Sequence, residues 1–279
     1  MNTRSNKPES APLSFGEGLG VRKPLSIIKI GGNIIDNPAE LSQFLEDFSN
    51  IEGNKILVHG GGKSATKMAQ NIGLTPQIID GRRITDKPML DVAVMIYAGD
   101  INKNFVAQLQ AHNTNAMGFS GADGNLIQST KRNHPTIDYG FVGDVQKVNI
   151  SLLDTLIANG IVPVFCAITH DKKGQLLNTN ADTIASELAI AASEVFEVTL
   201  NYCFEKPGVL FDAEDDSSVI ETINQELYSK LKAEKTIHSG MIPKLDNCFN
   251  SLSKGVQKIR IGHHRMLKDS TTICTSIEL

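Results

Sequence analysis

The chain has 279 residues, 41% of them hydrophobic, and a net charge of −4 at neutral pH. That length holds one large α/β domain or two smaller lobes with a full core, and the slight acidity excludes the broad basic face of a nucleic-acid binder. No apolar run approaches the ~18–20 residues of a membrane span, the N-terminus lacks the apolar stretch of a signal peptide, and the four cysteines form no C-x-x-C pair. A soluble protein of the reducing cytoplasm is expected, with no membrane or nucleic-acid partner, no disulfide and no zinc site.

Residues 1–23 are rich in Ser, Pro, Gly and Asn without apolar periodicity, which predicts a disordered tail. Residues 25–30 predict a short apolar strand. Residues 38–50 place Leu41, Phe44, Leu45 and Phe48 at helical spacing behind Pro38, which suits a first helical turn. A strand at 55–58 and a helix at 64–72 follow, then a long helical stretch over 89–112. A strand at 116–119 leads to hairpin-like pieces at 126–129 and 141–148, a helix at 151–159 and a buried strand over 161–168. Residues 180–192 predict an alanine-rich helix and 195–200 a strand. The remainder carries strands at 208–211 and 256–261 and helices at 222–232 and 240–254; in the last, Met241, Leu245, Cys248, Phe249 and Leu252 share one face. The acidic stretch 212–216 reads as a solvated loop. Strands alternating with helices predict the α/β class, a three-layer αβα sandwich around a mainly parallel open sheet.

Four motifs stand out: Lys29-Ile30-Gly31-Gly32-Asn33, His59-Gly60-Gly61-Gly62-Lys63, Asn178-Thr179-Asn180-Ala181-Asp182, and Ser239-Gly240-Met241-Ile242-Pro243-Lys244. Glycines directly after strands let backbone N–H groups approach a phosphate, and equally serve as plain strand-to-helix turns. The second motif is not a P-loop, since Leu57 stands where G-x-x-x-x-G-K-[ST] requires glycine. Lys29 is a cation in an apolar strand, at the end that faces the crevice of an open α/β sheet; the plainer alternative is an edge-strand lysine reaching water. Lys244 alone reads as a surface lysine on a helix. His263 and His264, if on a strand, point to opposite faces. With His59, they have no acidic or cysteine partner at ligand spacing, so structural or surface roles are expected and no metal.

In order and spacing these motifs, with Gly81-Arg82-Arg83-Ile84-Thr85-Asp86 between the second and third, resemble the amino-acid kinase family over roughly residues 25–262, most closely its N-acetylglutamate kinases. The resemblance implies a carbamate kinase-like fold, with a lobe over 24–193 for acylglutamate binding and dimerisation and a lobe over 194–279 for the nucleotide. It implies that Lys29 and Lys244 bracket the transferred phosphoryl group, with Gly31 and Gly32 beside it, and that Asp182 holds the lysines. Gly61, Gly62, Arg83 and Asn178 would bind the acylglutamate. ATP and Mg²⁺ are the implied cofactors, and a homodimer the implied assembly. Two departures matter. The family's S/T-D-V-x-G turn is missing, so residues 201–208 read as a longer loop in which Lys206 either meets a phosphate or lies in water. The tail lacks the amphipathic helix of arginine-regulated members, so no arginine feedback is expected.

The implied reaction is ATP-dependent phosphorylation of the γ-carboxylate of N-acetyl-L-glutamate, in arginine or ornithine biosynthesis. An acceptor carboxylate is already ionised at pH 7, so it needs no general base. The obstacle is anion repulsion, about 4 kcal/mol per unit charge pair at ~4 Å and an effective dielectric of ~20. Three alternatives stay open: an N-succinyl-L-glutamate kinase, in which Arg82 would meet the additional carboxylate; a kinase for a free amino acid; and a non-catalytic amino-acid-sensing domain.

Overall fold

The structure is a computed structural model and describes residues 22–79, 82–237, 240–269 and 271–279, without the side chain of Arg82. The predicted tail therefore lies outside the described residues up to position 21, as does Ser239 of the last motif. Strand β1 (Lys23–Ile30) starts inside the predicted tail and runs into the one-turn helix α1 (Gly32–Ile35). Helix α2 (Pro38–Ser49) is capped by Asn37, whose side chain accepts from the N–H groups of Ala39 and Glu40. Strand β2 (Asn54–His59) and helix α3 (Gly62–Asn71) follow, then a small antiparallel hairpin of β3 (Ile78–Ile79) and β4 (Arg82–Arg83) that the sequence reading did not foresee.

The long helical stretch is present with an unexpected middle. Helix α4 (Lys87–Ala93) continues through a π-helical segment, Val94–Ile101, into α5 (Asn102–Ala111). Next come β5 (Ala116–Phe119), the antiparallel pair β6 (Ile127–Lys131) and β7 (Gly143–Val148), and α6 (Ile150–Ala158), capped by Asn149. The single strand expected over 161–168 is instead β8 (Val162–Phe165) and β9 (Ile168–His170), with β10 (Leu176–Asn178) folded back antiparallel on β9. The chain changes sheets at this break: Cys166 N–H still donates to Phe119 O, while Ala167 O accepts from Thr179 N–H.

Helix α7 (Ala181–Ala192) starts at the Asn180 cap and leads to β11 (Phe196–Cys203). This strand corrects the loop expected over 201–208, because Asn201, Tyr202 and Cys203 continue the ladder and only Phe204 onward leaves it. Residues 208–211 form no strand beyond an isolated bridge from Leu210 to Val219. Strand β12 (Thr222–Ile223) occupies the start of the predicted helix, so α8 spans Gln225–Ala233. Helix α9 (Ile242–Ser253), β13 (Lys258–Gly262), a 3₁₀ turn at His264–Leu267 and β14 (Thr275–Ile277) complete the chain.

One eight-stranded sheet, in the order β12-β14-β13-β11-β1-β2-β8-β5, crosses the molecule. Its pairings are parallel except β13 with β14. In β2 every residue from Lys55 to His59 is buried, the pattern of a strand covered on both faces. Helices α7 and α9 pack together, with α7 over β11, β1 and β2; α5 packs on β5 and β8. A second sheet, β10-β9-β6-β7, lies beside the first. Among the described residues no helix is long and apolar enough to cross a membrane.

The histidine pair differs from expectation. The chain leaves β13 at Gly262, so His263 and His264 are not strand neighbours on opposite faces; their rings lie 4.3 Å apart, and acidic partners from α2 meet them.

Candidate active site

Strand β1 delivers Lys29 near its C-terminal end, level with Tyr202 of β11 in the parallel ladder. The Lys29 ammonium lies 2.7 Å from Oδ1 of Asp182, and the Lys244 ammonium lies 2.9 Å from Oδ2. One carboxylate thus holds two cations that would otherwise repel each other. Asp182 is placed by the start of α7, where Asn180 Oδ1 accepts from its backbone N–H at 2.7 Å, and a helix N-terminus favours its negative charge. Burial alone would push the Asp182 carboxyl up; the charges of Lys244 and Lys29 outweigh it and hold the group well below the usual carboxylate range. Burial lowers the Lys29 ammonium, against the pull of Asp182.

Lys244 comes from the first turn of α9 and sits 4.8 Å from the centroid of the Tyr202 ring. The Tyr202 hydroxyl donates to Asp182 O at 3.1 Å and lies 2.7 Å from Ser186 Oγ.

A cleft of about 800 Å³ opens beside this triad. Gly61, Gly62, Arg83, Asn178, Asp182 and Lys244 all line it. Lys29 joins through its ion pair with Asp182, while Gly31 and Gly32 lie next to Lys29 in sequence and are not among the lining residues. Gly31 N–H donates to Cys203 O at 2.8 Å, and a Cβ there would come within 3.3 Å of that oxygen and of Phe204. At Gly32 a Cβ would meet nothing within 4 Å. Lys63 hydrogen-bonds Asn33, so the turns of the first two motifs touch.

Gly61 has φ 150°, and a Cβ there would stand 2.4 Å from Ile101 Cδ1 and 2.9 Å from Tyr97 Cδ1. Both side chains come from the π segment, a widening that often marks functional sites. Arg83 Nη2 donates to Gly62 O at 2.8 Å and to Thr66 Oγ1 at 2.7 Å. Asn178 Nδ2 donates to Thr85 Oγ1 at 3.0 Å. Sequence reasoning missed Arg132, a second guanidinium lining the cleft, whose Nε donates to Asp144 at 3.0 Å. Its only trace in the sequence is an arginine within a predicted hairpin. Lys206 is paired with Asp216 at 2.8 Å, near the surface. His59 is fully buried, with Asn102 Nδ2 3.1 Å from Nε2 and Nδ1 2.8 Å from Gly60 O. Burial lowers its pKa to about 4, so it is neutral at pH 7.

An open, mainly parallel sheet ending in glycine turns, with two lysines on one partly buried carboxylate beside a cleft, is the equipment of a phosphoryl-transfer protein. The model of the Amino acid kinase family matches residues 24–263, and the chain belongs to that family. It is 55% identical over 238 residues to the acetylglutamate kinase of Cytophaga hutchinsonii, covering 85% of this chain and 90% of that protein. In fold it is similar to the N-acetylglutamate synthase of Neisseria gonorrhoeae, with TM-score 0.76 and 20% identity over 92% of this chain and 59% of that one. It is also similar to Giardia carbamate kinase, with TM-score 0.63 and 14% identity over 92% and 99% of the two chains.

Proposed function

We propose that the protein transfers the γ-phosphoryl group of ATP to the γ-carboxylate of N-acetyl-L-glutamate, in arginine or ornithine biosynthesis in the cytoplasm. The observation that carries this reading is that Asp182, the carboxylate at the heart of the described cleft, is engaged by ammonium groups on both sides. Asp182 is the one carboxylate among the described residues lining the cleft, and ammonium groups face both its oxygens. Held below the usual range, it is a poor proton acceptor. Such a site suits an acceptor that arrives ionised.

A carboxylate oxygen of the acceptor forms the new bond to phosphorus as the bond to the ADP oxygen breaks, and no proton moves. Lys29 and Lys244 neutralise the oxygens of the transferred group, and Asp182 keeps the two ammonium groups in place. Gly31 and Gly32 admit the phosphates; Gly61, Gly62, Arg83 and Asn178 hold the acylglutamate. The 24–193 lobe takes the acceptor and the 194–279 lobe the nucleotide. Among the described cleft residues Mg²⁺ finds no free carboxylate, so it is expected to enter with the phosphate oxygens of its nucleotide. A homodimer belongs to the same reading; exposed Met95 and Met117, the latter on edge strand β5, support an apolar contact surface.

One observation favours a second acceptor. Arg132, oriented by Asp144, gives the cleft a cation beyond Arg83, which an acyl group ending in a carboxylate, as in N-succinyl-L-glutamate, would meet. The test is a hydroxylamine trap with Mg-ATP, comparing N-acetyl-L-glutamate, N-succinyl-L-glutamate and free glutamate. Hydroxamate from an acylated substrate supports the kinase and identifies the acyl group. No turnover from folded protein with any of the three would overturn it.

A further inference from the structure

Away from the cleft, Glu40 of α2 and His263 and His264 after β13 bring three ligand-type atoms within 4.8 Å of one another. His264 is fully buried, and Asp47 beside it is 4% exposed. Asp47 Oδ2 lies 3.0 Å from Nδ1 of His264, and its Oδ1 accepts from Gln43 Nε2 at 3.1 Å. A carboxylate cannot donate, so the His264 proton is on Nδ1, and in the neutral ring Nε2 presents a lone pair. That lone pair faces Glu40 Oε2 at 3.3 Å. Two acceptors at that distance need a positive centre between them, either a proton on Nε2 or a metal ion.

The second ring favours the metal. His263 Nε2 lies 3.5 Å from the same Glu40 oxygen. Donor atoms around a tetrahedral zinc ion with bonds of about 2.0–2.1 Å stand about 3.3–3.4 Å apart, close to both separations from Glu40. The buried Asp47 supplies the outer carboxylate that orients a metal-binding imidazole. We propose that Glu40, His263 and His264 form a zinc site that clasps α2 to the chain following β13, with a fourth position for water. Two imidazole nitrogens select zinc over magnesium, which prefers oxygen. Capture displaces any proton on His264 Nε2. It also moves the His263 proton to Nδ1, giving up the 3.3 Å bond that this atom accepts from Arg265 N–H.

The test is titration of metal-stripped, tag-free full-length protein with zinc chloride by calorimetry, and with Co²⁺ followed by visible absorption. One equivalent of zinc, with strong tetrahedral Co²⁺ bands, is expected. Glu40→Gln and His263→Asn change side chains that are 40% and 19% exposed. Both should weaken binding by more than the about 10–100-fold that loss of an outer-shell partner causes, while both metal-free variants still unfold cooperatively in urea. Asp182→Asn, in the cleft, should leave zinc binding intact. Absence of stoichiometric binding, or binding in Glu40→Gln and His263→Asn equal to that of the parent, would overturn the proposal and leave the cluster as a structural hydrogen-bond network.

Discussion

Tyr202 lies against Lys244 while its hydroxyl donates to the backbone oxygen of Asp182, the residue that binds the Lys244 ammonium. A side chain outside the cleft lining thus fixes both members of an ion pair inside it. Tyr202→Phe keeps the ring and removes the hydroxyl, so a stability loss of about 1 kcal/mol is expected, with kcat falling and KM for the acceptor little changed. Tyr202→Leu should lower kcat further; equal kcat in the two variants would mean that the ring does nothing for Lys244.

The two lysines share one carboxylate, Asp182, and should act as a unit. Lys29→Met or Lys244→Met is expected to lower kcat about 10²–10³-fold, as for the removal of one preorganised donor. Adding Asp182→Asn to Lys29→Met should then cost less than the product of the single losses. Initial-rate kinetics on the singles and the double checks this, and simple multiplicativity would show independent roles.

Arg83 is aimed by Gly62 and Thr66. If Arg83 holds the acceptor as proposed, Arg83→Gln removes charge-assisted bonds worth about 1.5–3 kcal/mol, so KM for the acylglutamate should rise about 10–100-fold. Lysine should not rescue it, because an ammonium lacks the planar fork. A raised KM for ATP instead would move Arg83 to the nucleotide.

Gly61 and Gly32 should respond oppositely to alanine. At Gly61 the new methyl collides with Ile101 and Tyr97, and overpacking of this kind costs about 1–3 kcal/mol. At Gly32 there is open space, so Gly32→Ala should melt with the parent protein yet turn over more slowly, if the phosphate needs that room. Denaturant unfolding and kcat measured together separate the two.

His59 sets a pH dependence. Its folded value of about 4 lies below the ordinary value of 6.5. The unfolded chain therefore takes up a proton first as pH falls, so the stability held above pH 6.5 is lost progressively down to about 4. The lowering corresponds to about 3 kcal/mol over that window. Urea unfolding from pH 7 to 4 should show a shallower decline in His59→Gln than in the parent.

The placement of the candidate site was legible where it rests on local signals: a lysine inside an apolar strand and glycines at strand ends marked Lys29, Gly61 and Gly62 as residues that the structure brings to Asp182 and the cleft. Long-range pairing was not legible. Glu40 and His264 are 224 residues apart, so no ligand spacing could reveal them, and Arg132 reaches the cleft just past β6, where its N–H donates to Val142 O across the hairpin. The π segment kept the apolar pattern of an ordinary helix, and β11 ran past its apolar stretch into Asn201 because β1 and β13 supplied ladder partners on both sides.

The two cations paired with Asp182 have unequal freedom. Lys29 belongs to β1, bonded on either side by β11 and β2 in the middle of the sheet. Moving it means parting core strands, which opens only with the whole fold. Lys244 rides on α9, which packs on α7 and β13 and is tied to α8 through Tyr228 and Lys232 at Asp246, and packed helices can slide over their neighbours without parting a sheet. On the proposed reading one lysine is a fixed jaw and the other a movable one, so release of a labile acyl phosphate is expected to follow the motion of the Lys244 helix rather than of the sheet.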